Sequence, residues 1–316
     1  MEHTYYQHHN RIKGVMGASD LCQGLEACPV SVLGEEPPFF QYTPENVAGV
    51  GADLDPTEIS FPGCDCWATV CLPDSCSCLP YGANYSELQL INKKGEVRYA
   101  RPIFECNIMC KCGDRCPNRI VQRGLQLQLQ VFQTGQKGWG LRTLERIPKG
   151  QFVCEYAGEI LGIHEACRRI QLQKPCDSNY IIALREHFHG GKLLETFVDP
   201  TCVGNIGRFL NHSCEPNLFM VPVRIHSMVP RLALFAAQDV AAGEELSYDY
   251  SGVFHNPSAV GKDSETAGGG HEQRKRCYCG ASSCRDFLPY DASLYPVQRR
   301  ETVSPTTDPG LCLQRQ

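Results

Sequence analysis

The sequence predicts a mainly β chain, a β-rich α+β arrangement with a single helix, flanked by two cysteine modules that bind metal. Three observations predict it: short apolar runs with period-two alternation between residues 125 and 237, one helical stretch, and 20 cysteines, twelve of them in two clusters. With 316 residues, 42% of them hydrophobic and 21% charged, the chain can build one large or two smaller folded units and is too apolar for wholesale disorder. The longest apolar run, Leu232 to Ala237, is too short for a membrane-spanning helix, and the opening MEHTYYQHHNRIKG has no apolar core of a secretory signal. A net charge of −5, from 30 Lys+Arg against 35 Asp+Glu, does not mark an obvious nucleic-acid binder.

In chain order, residues 1–60 carry nine acidic and two basic residues with EEPP at 35–38, which predicts an acidic, partly disordered lead-in. Residues 61–124 form the first cysteine module; the 27-residue gap between its two halves, with KKGEVR at 93–98, predicts surface loop and a short hairpin. Residues 125–252 hold the predicted strands LQLQLQVF (125–132), QFVCEYAGEIL (151–161), SNYIIAL (178–184), LFMVPVRI (218–225) and RLALFAA (231–237). In the second of these, Phe152, Cys154 and Tyr156 share one face, as a strand requires. The helix is predicted over 163–173, IHEACRRIQLQ. Residues 253–272 are a flexible Gly-rich linker, 273–290 the second cysteine module, and 291–316 a loosely ordered tail.

Clustered thiols without a secretory signal point to metal before disulfides. The first cluster, Cys64, Cys66, Cys71, Cys76, Cys78, Cys106, Cys110, Cys112 and Cys116, reads CxC-x4-C-x4-CxC and then C-x3-CxC-x3-C. Three tetrahedral zinc ions need about twelve ligand positions, and nine sulfurs supply them when three bridge. Storage of metal, as in metallothionein, is the competing use, although the rest of the chain is large and ordinary in composition. The second cluster, Cys277, Cys279 and Cys284, offers three ligands, so either a fourth comes from elsewhere or the zinc is catalytic with an open position.

Three further stretches carry candidate chemistry. Lys137-Gly138-Trp139-Gly140-Leu141 sets two glycines about a large flat face, which suits a ligand or a turn with a core Trp. Asn205 to Asn217 packs amide, guanidinium, imidazole and thiol groups into one segment, and a capped turn is the plainer reading. His212 invites a general-base role there, but no partner completes a hydrolytic set. In Glu244 to Tyr250, Tyr248 and Tyr250 fall on one strand face, where two core tyrosines would be the commoner arrangement.

Taken in order, the pre-cluster cysteines, GWG, RFLNHSCEPN, ELSYDY and CxC-x4-C resemble the SET-domain protein lysine methyltransferases, in particular the suppressor-of-variegation class, over residues 61–290. The resemblance implies a SET domain of short sheets with a knot-like chain path between zinc-bound pre-SET and post-SET modules. It implies S-adenosylmethionine as cofactor, held by Lys137, Gly138, Trp139, Tyr180, Arg208, Asn211 and His212, with Tyr278 closing over it. Tyr250 is then the catalytic tyrosine, Tyr156 and Tyr180 line a lysine channel with it, and Tyr248 sets how many methyl groups are added. Asp249 is expected to be structural, and Cys214 completes the fourth zinc.

The implied partners are a histone tail peptide and the nucleosome, the implied location nucleus and chromosome, with no membrane and no sequence-specific DNA binding. A zinc-organised chromatin- or nucleic-acid-binding module without catalysis is the alternative. Charge favours a basic peptide: thirteen thiolates with four Zn²⁺ bring the loaded chain to about −10. The reaction needs a neutral lysine, and a free one is only about 0.1% deprotonated near pH 7.4, a cost of roughly 4 kcal/mol that an apolar channel beside a sulfonium reduces.

Overall fold

A computed structural model describes residues 20–67, 71–91, 102–174, 177–187, 191, 193–251 and 275–294. Its strands are β1 (Ser31–Leu33), β2 (Gln41–Tyr42), β3 (Val47–Ala48), β4 (Tyr85–Ser86), β5 (Gln89–Leu90), β6 (Ile103–Phe104), β7 (Leu129–Gln133) and β8 (Trp139–Thr143). There follow β9 (Phe152–Tyr156), β10 (Gly158–Leu161), helix α1 (Ile163–Leu172), β11 (Ile182–His187), β12 (Leu193–Gly204), β13 (Asn211–His212), β14 (Leu218–Arg224), β15 (Arg231–Ala236) and β16 (Glu245–Tyr248). They make three small sheets, ordered β1-β7-β8-β16-β13, β11-β12-β10-β3 with β2 also on β12, and β6-β14-β15-β9, plus the hairpin β4-β5. A mainly β chain with one helix is therefore what forms.

The third sheet shows why the apolar runs are strands. β15 is flanked on both sides by β14 and β9, with Leu232 facing Pro222 and Tyr156 and Leu234 facing Met220 and Cys154. Its side chains are buried on both faces as well, and such a strand tolerates no polar alternation; RLALFA has almost none. Helix α1 buries Ala166 and Ile170, one turn apart, against Leu161, Ile181, Phe197 and Leu294. Its outer turn is tied by Arg169, which reaches Glu165, Glu159 and Asp199 at 2.7–2.9 Å.

Four expectations change. The run 151–161 is two strands in different sheets, because the chain breaks at Ala157. The Asn205 carboxamide fills the break, donating to Glu155 O at 2.9 Å and accepting from Ala157 N at 3.2 Å. The twelve-residue β12 is absent from the predicted strands because it contains Pro200. That proline sits beside an irregularity where the β10–β12 register shifts, a position at which a strand tolerates it. Third, the strands expected over 125–132 and 178–184 pair only from Leu129 and Ile182, each running on past its expected end.

The fourth concerns the lead-in. From Asp20 onward it is placed in the fold: β1 pairs in parallel with β7, β2 with β12 and β3 with β10. Phe40 and Tyr42 enter the main core. Close approach makes this possible at Gly162, where a Cβ would lie 2.1 Å from the Gly51 carbonyl oxygen. Residues 1–19, the KKGEVR segment at 93–98, the linker 253–272 and the tail beyond 294 lie outside the described residues.

The first cysteine module is welded to the sheets by a buried carboxylate. Glu105 accepts from Tyr85 Oη, Ile120 N, Val121 N and Gln122 Nε2 at 2.7–2.9 Å. A short hairpin does form in the module, β4-β5, turning through Glu87 and Leu88, both at positive φ.

Candidate active site

The nine cysteines of the first module converge on one buried cluster. The Sγ atoms of Cys64, Cys66, Cys71 and Cys76 lie within 4.8 Å of one another, as do those of Cys64, Cys78, Cys106 and Cys110, and of Cys64, Cys71, Cys106 and Cys112. Cys116 joins through Cys106 at 3.9 Å. All are free thiols. Burial, then the neighbouring thiols, raises Cys71 far above its ordinary range, so anionic sulfurs this crowded need cations. An all-sulfur donor set in groups of four is what zinc takes.

One cation of the chain itself faces the cluster. Arg119, buried, donates from Nη2 to Asn107 O at 2.8 Å and Cys112 O at 3.3 Å and lies 3.7 Å from Cys112 Sγ. Nine thiolates around three Zn²⁺ carry a net charge of about −3, which such a guanidinium offsets. In the second cluster Cys214 meets Cys277, Cys279 and Cys284, all four Sγ atoms within 4.8 Å of one another. That supplies the missing fourth ligand and leaves no open catalytic position among the sulfurs.

Next to Cys214 the residues expected to wall a cofactor are cross-tied by one carboxylate. Lys137 Nζ contacts both oxygens of Glu245 at 2.8 and 2.7 Å. Asn211 Nδ2 donates to Glu245 Oε1 at 3.1 Å and to Trp139 O at 3.0 Å. Strands β8, β13 and β16 are thereby locked side by side. Gly138 adopts φ +72°, with no atom within 4 Å of where a Cβ would stand, leaving an open cradle beside Trp139. β13 is the terminal strand of its sheet, so among the described residues the outer backbone edge of Asn211 and His212 pairs with no further strand.

His212 is buried, with Nδ1 accepting the Tyr250 N–H at 3.2 Å and Nε2 3.4 Å from Cys214 Sγ. This assigns the ring proton to Nε2. Burial lowers its pKa from the ordinary value, against the opposing pull of Asp249. A neutral ring with both nitrogens engaged is not a general base; it links a zinc ligand to the Tyr250 backbone. Asp249 caps the turn beyond β16, accepting from Ser251 N at 3.0 Å and Ser251 Oγ at 2.8 Å.

Three tyrosine rings pack in a row, and Tyr180 joins them through its carbonyl. Tyr248 and Tyr250 rings lie 4.8 Å apart, and Tyr156 meets Tyr248 edge-on at 6.2 Å. Tyr250 keeps an edge open to solvent, at 37% exposure, and its hydroxyl donates to Leu210 O at 2.8 Å. Tyr156 Oη donates to the Tyr180 carbonyl. Desolvation, then Tyr180, holds the Tyr250 phenol well above its usual pKa, so it remains a neutral donor. Tyr248 is 4% exposed, its ring held between those of Tyr156 and Tyr250.

Residues 138–251 match the SET domain and residues 22–119 the Pre-SET motif. Histone-lysine N-methyltransferase SETMAR of Rattus norvegicus is 62% identical over 281 residues, spanning 87% of this chain and 89% of the relative. The chain belongs to the SET-domain family of lysine methyltransferases. The crystal structure of the methyltransferase domain of human histone-lysine N-methyltransferase SETMAR matches with a TM-score of 0.76 at 57% identity, covering 86% of this chain and 98% of that one. KRYPTONITE in complex with mCHH DNA, H3(1-15) peptide and SAH matches with a TM-score of 0.62 at 29% identity, covering 88% and 55% respectively. The Pre-SET match starts at Cys22, so it takes in the segment that composition alone assigns to a lead-in.

Within the SET domain, most residues singled out in the sequence meet around one site, and two are placed differently from the expectation. Arg208 does not stand in an open wall. It is buried behind Tyr180, stacked 4.6 Å from that ring and 4.4 Å from Phe40, donating to Pro200 O at 3.1 Å and Thr201 O at 3.3 Å. It therefore supports Tyr180. Lys137 spends its ammonium on Glu245. Tyr278 is half exposed on the post-SET module. Glu245 is the residue sequence reasoning missed. In ELSY the period-two alternation puts Glu245 with Ser247 on the face opposite the buried Leu246 and Tyr248, where no local signal marks an acid as a tie.

Proposed function

We propose that this chain methylates a lysine of a histone tail, histone H3 above others, with S-adenosylmethionine as donor, and halts mainly at mono- and dimethyl-lysine. Relatives named as histone-lysine methyltransferases, and a neighbour holding an H3 peptide with SAH, support the substrate and the cofactor. Activity on histones puts its work on chromatin in the nucleus. When bound, S-adenosylmethionine supplies an electrophilic methyl group.

The chain's own residues do the rest. Gly138 and Trp139 with the outward backbone of Asn211 and His212 hold the cofactor, and Glu245 keeps these walls in register. Tyr156, Tyr180, Tyr248 and Tyr250 strip water from the incoming lysine, which lowers its pKa so that its proton passes to bulk water on entry and the lone pair is freed without a protein base. The Tyr250 hydroxyl, fixed by Leu210 O, orients the amine. Zinc would act structurally, held by the nine pre-SET sulfurs, of which Cys64, Cys71 and Cys106 recur among the groups of four.

The Tyr248 hydroxyl carries the product assignment. On a buried ring packed 4.8 Å from that of Tyr250, it can hold a water or the amine itself, filling the room that a third methyl needs. Mass spectrometry of an H3 tail peptide after exhaustive reaction tests this. Mono- and dimethyl products are expected from the unmodified chain and a shift to trimethyl in Tyr248→Phe. Abundant trimethyl product from the unmodified chain would refute it.

A further inference from the structure

We propose that Glu215 is a positioning residue for the cofactor site, a latch that fixes the angle at which the post-SET hairpin sits over it. The inference rests on the assignment of Cys214, Cys277, Cys279 and Cys284 to one zinc ion. In that arrangement three ligands come from the hairpin and one, Cys214, from the SET domain. The two ends of the module are tied to the SET domain by Lys275 Nζ on Asp177 O and by Arg185 on Asp291 and Ser293. The loop carrying Cys279 and Cys284, however, is joined to it through one metal–sulfur bond, at Cys214, about which it can swing because tetrahedral zinc has no directional preference of its own.

Glu215, the very next residue, removes this freedom. Its Oε1 accepts from Ser282 Oγ at 2.9 Å, Ser283 N at 3.1 Å and Ser283 Oγ at 2.7 Å. These donors lie on the segment between Cys279 and Cys284, so metal and carboxylate grip the same loop from adjacent SET residues. Adjoining contacts keep the hairpin stiff enough to transmit the constraint: Cys277 N donates to Asp286 O at 2.8 Å and Leu288 N to Lys275 O at 2.9 Å. Arg285 N also donates to Cys214 Sγ at 3.4 Å. Tyr278, half exposed between the ligands Cys277 and Cys279, is the side chain whose position the latch sets. Glu215 itself touches none of the cofactor-wall residues named above and is solvent-exposed, so its effect on the cofactor is transmitted through the hairpin.

The test uses the full zinc-loaded chain and the variants Glu215→Ala and Glu215→Gln. Three measurements are made: zinc per chain, S-adenosylmethionine affinity by titration calorimetry, and amide hydrogen exchange over residues 275–288. Loss of hydrogen bonds to a charged acceptor should weaken cofactor binding about ten-fold in Glu215→Ala. Zinc content should be unchanged, and exchange should quicken only in the hairpin. Glu215→Gln, which keeps the acceptor oxygen, should restore part of the affinity. Unaltered affinity and exchange in Glu215→Ala with zinc retained would overturn the latch. So would loss of zinc, which would make Glu215 a support of the metal site instead. A post-SET zinc missing from the unmodified chain would overturn the metal assignment beneath it, a different and recognisable failure.

Discussion

Glu155 gives the sharpest test of the electrostatics. It lies on β9 beside Tyr156, 5% exposed, with Oε2 3.4 Å from Arg231 and Oε1 without a partner among the described residues. It lines a cavity of about 30 Å³ together with Glu26, Glu45, Cys154, Asn205 and Arg231. Burial pushes its carboxyl up to about 7, against Arg231 and with help from Glu45 and Glu26. Because the folded-state value lies above the ordinary 4.5, the folded chain keeps a proton that the unfolded chain releases. Stability is therefore lost as pH rises from about 4.5, and the loss is complete above about 7. Linkage puts the penalty at about 2 kcal/mol at pH 6 and about 3.4 kcal/mol at pH 8.5. Glu155→Gln has the same shape and no titration. Urea unfolding of both zinc-loaded chains across that range should show the variant gaining about 1.4 kcal/mol on the unmodified chain between the two ends. A constant offset is expected from any disturbance of Arg231, which retains Glu45 at 2.8 Å. Parallel profiles would show that Glu155 is ionised throughout and would refute the reasoning.

Three further outcomes are expected. Metal analysis should return about four zinc ions per chain, and strong chelation should loosen the fold, visible by circular dichroism; one or two ions at full activity would rule out bridging sulfurs. Tyr250→Phe should cut kcat by about 100-fold or more with little change in melting temperature, since only the oriented hydroxyl is lost; near-normal turnover would remove Tyr250 from the reaction. Glu245→Gln should raise the KM for S-adenosylmethionine about ten-fold by releasing Lys137 and Asn211, with a smaller effect on kcat, as steady-state kinetics would show.

Much of this was legible in one dimension because it is local. RLALFAA and LFMVPVRI announce strands by composition, IHEACRRIQLQ announces a helix by the spacing of Ala166 and Ile170, and cysteine spacing announces metal. What was not legible depends on partners distant in sequence. Nothing in QFVCEYAGEIL signals that Asn205, some 50 residues on, will split it into two strands. EEPPFFQY is acidic and proline-rich, so it reads as loose chain, yet Phe40 finds a place against Arg208 and Phe209 once the sheets exist. The candidate site divides in the same way. The tyrosines and cysteines were found by pattern, whereas the role of Glu245 appears only when β8, β13 and β16 lie side by side, and Arg208 turns out to stand behind the wall.

The N-terminal strands have a consequence for the chain's solubility. β1 covers the outer edge of β7 and β3 that of β10, each in parallel register and each only two or three residues long. Without residues 20–48, two sheets would end in open rows of backbone N–H and C=O groups flanked by apolar side chains, the arrangement through which separate molecules add strand to strand. A chain shortened to begin at the cysteine cluster should keep its metal and its tyrosines and still be lost to aggregation, edge joined to edge.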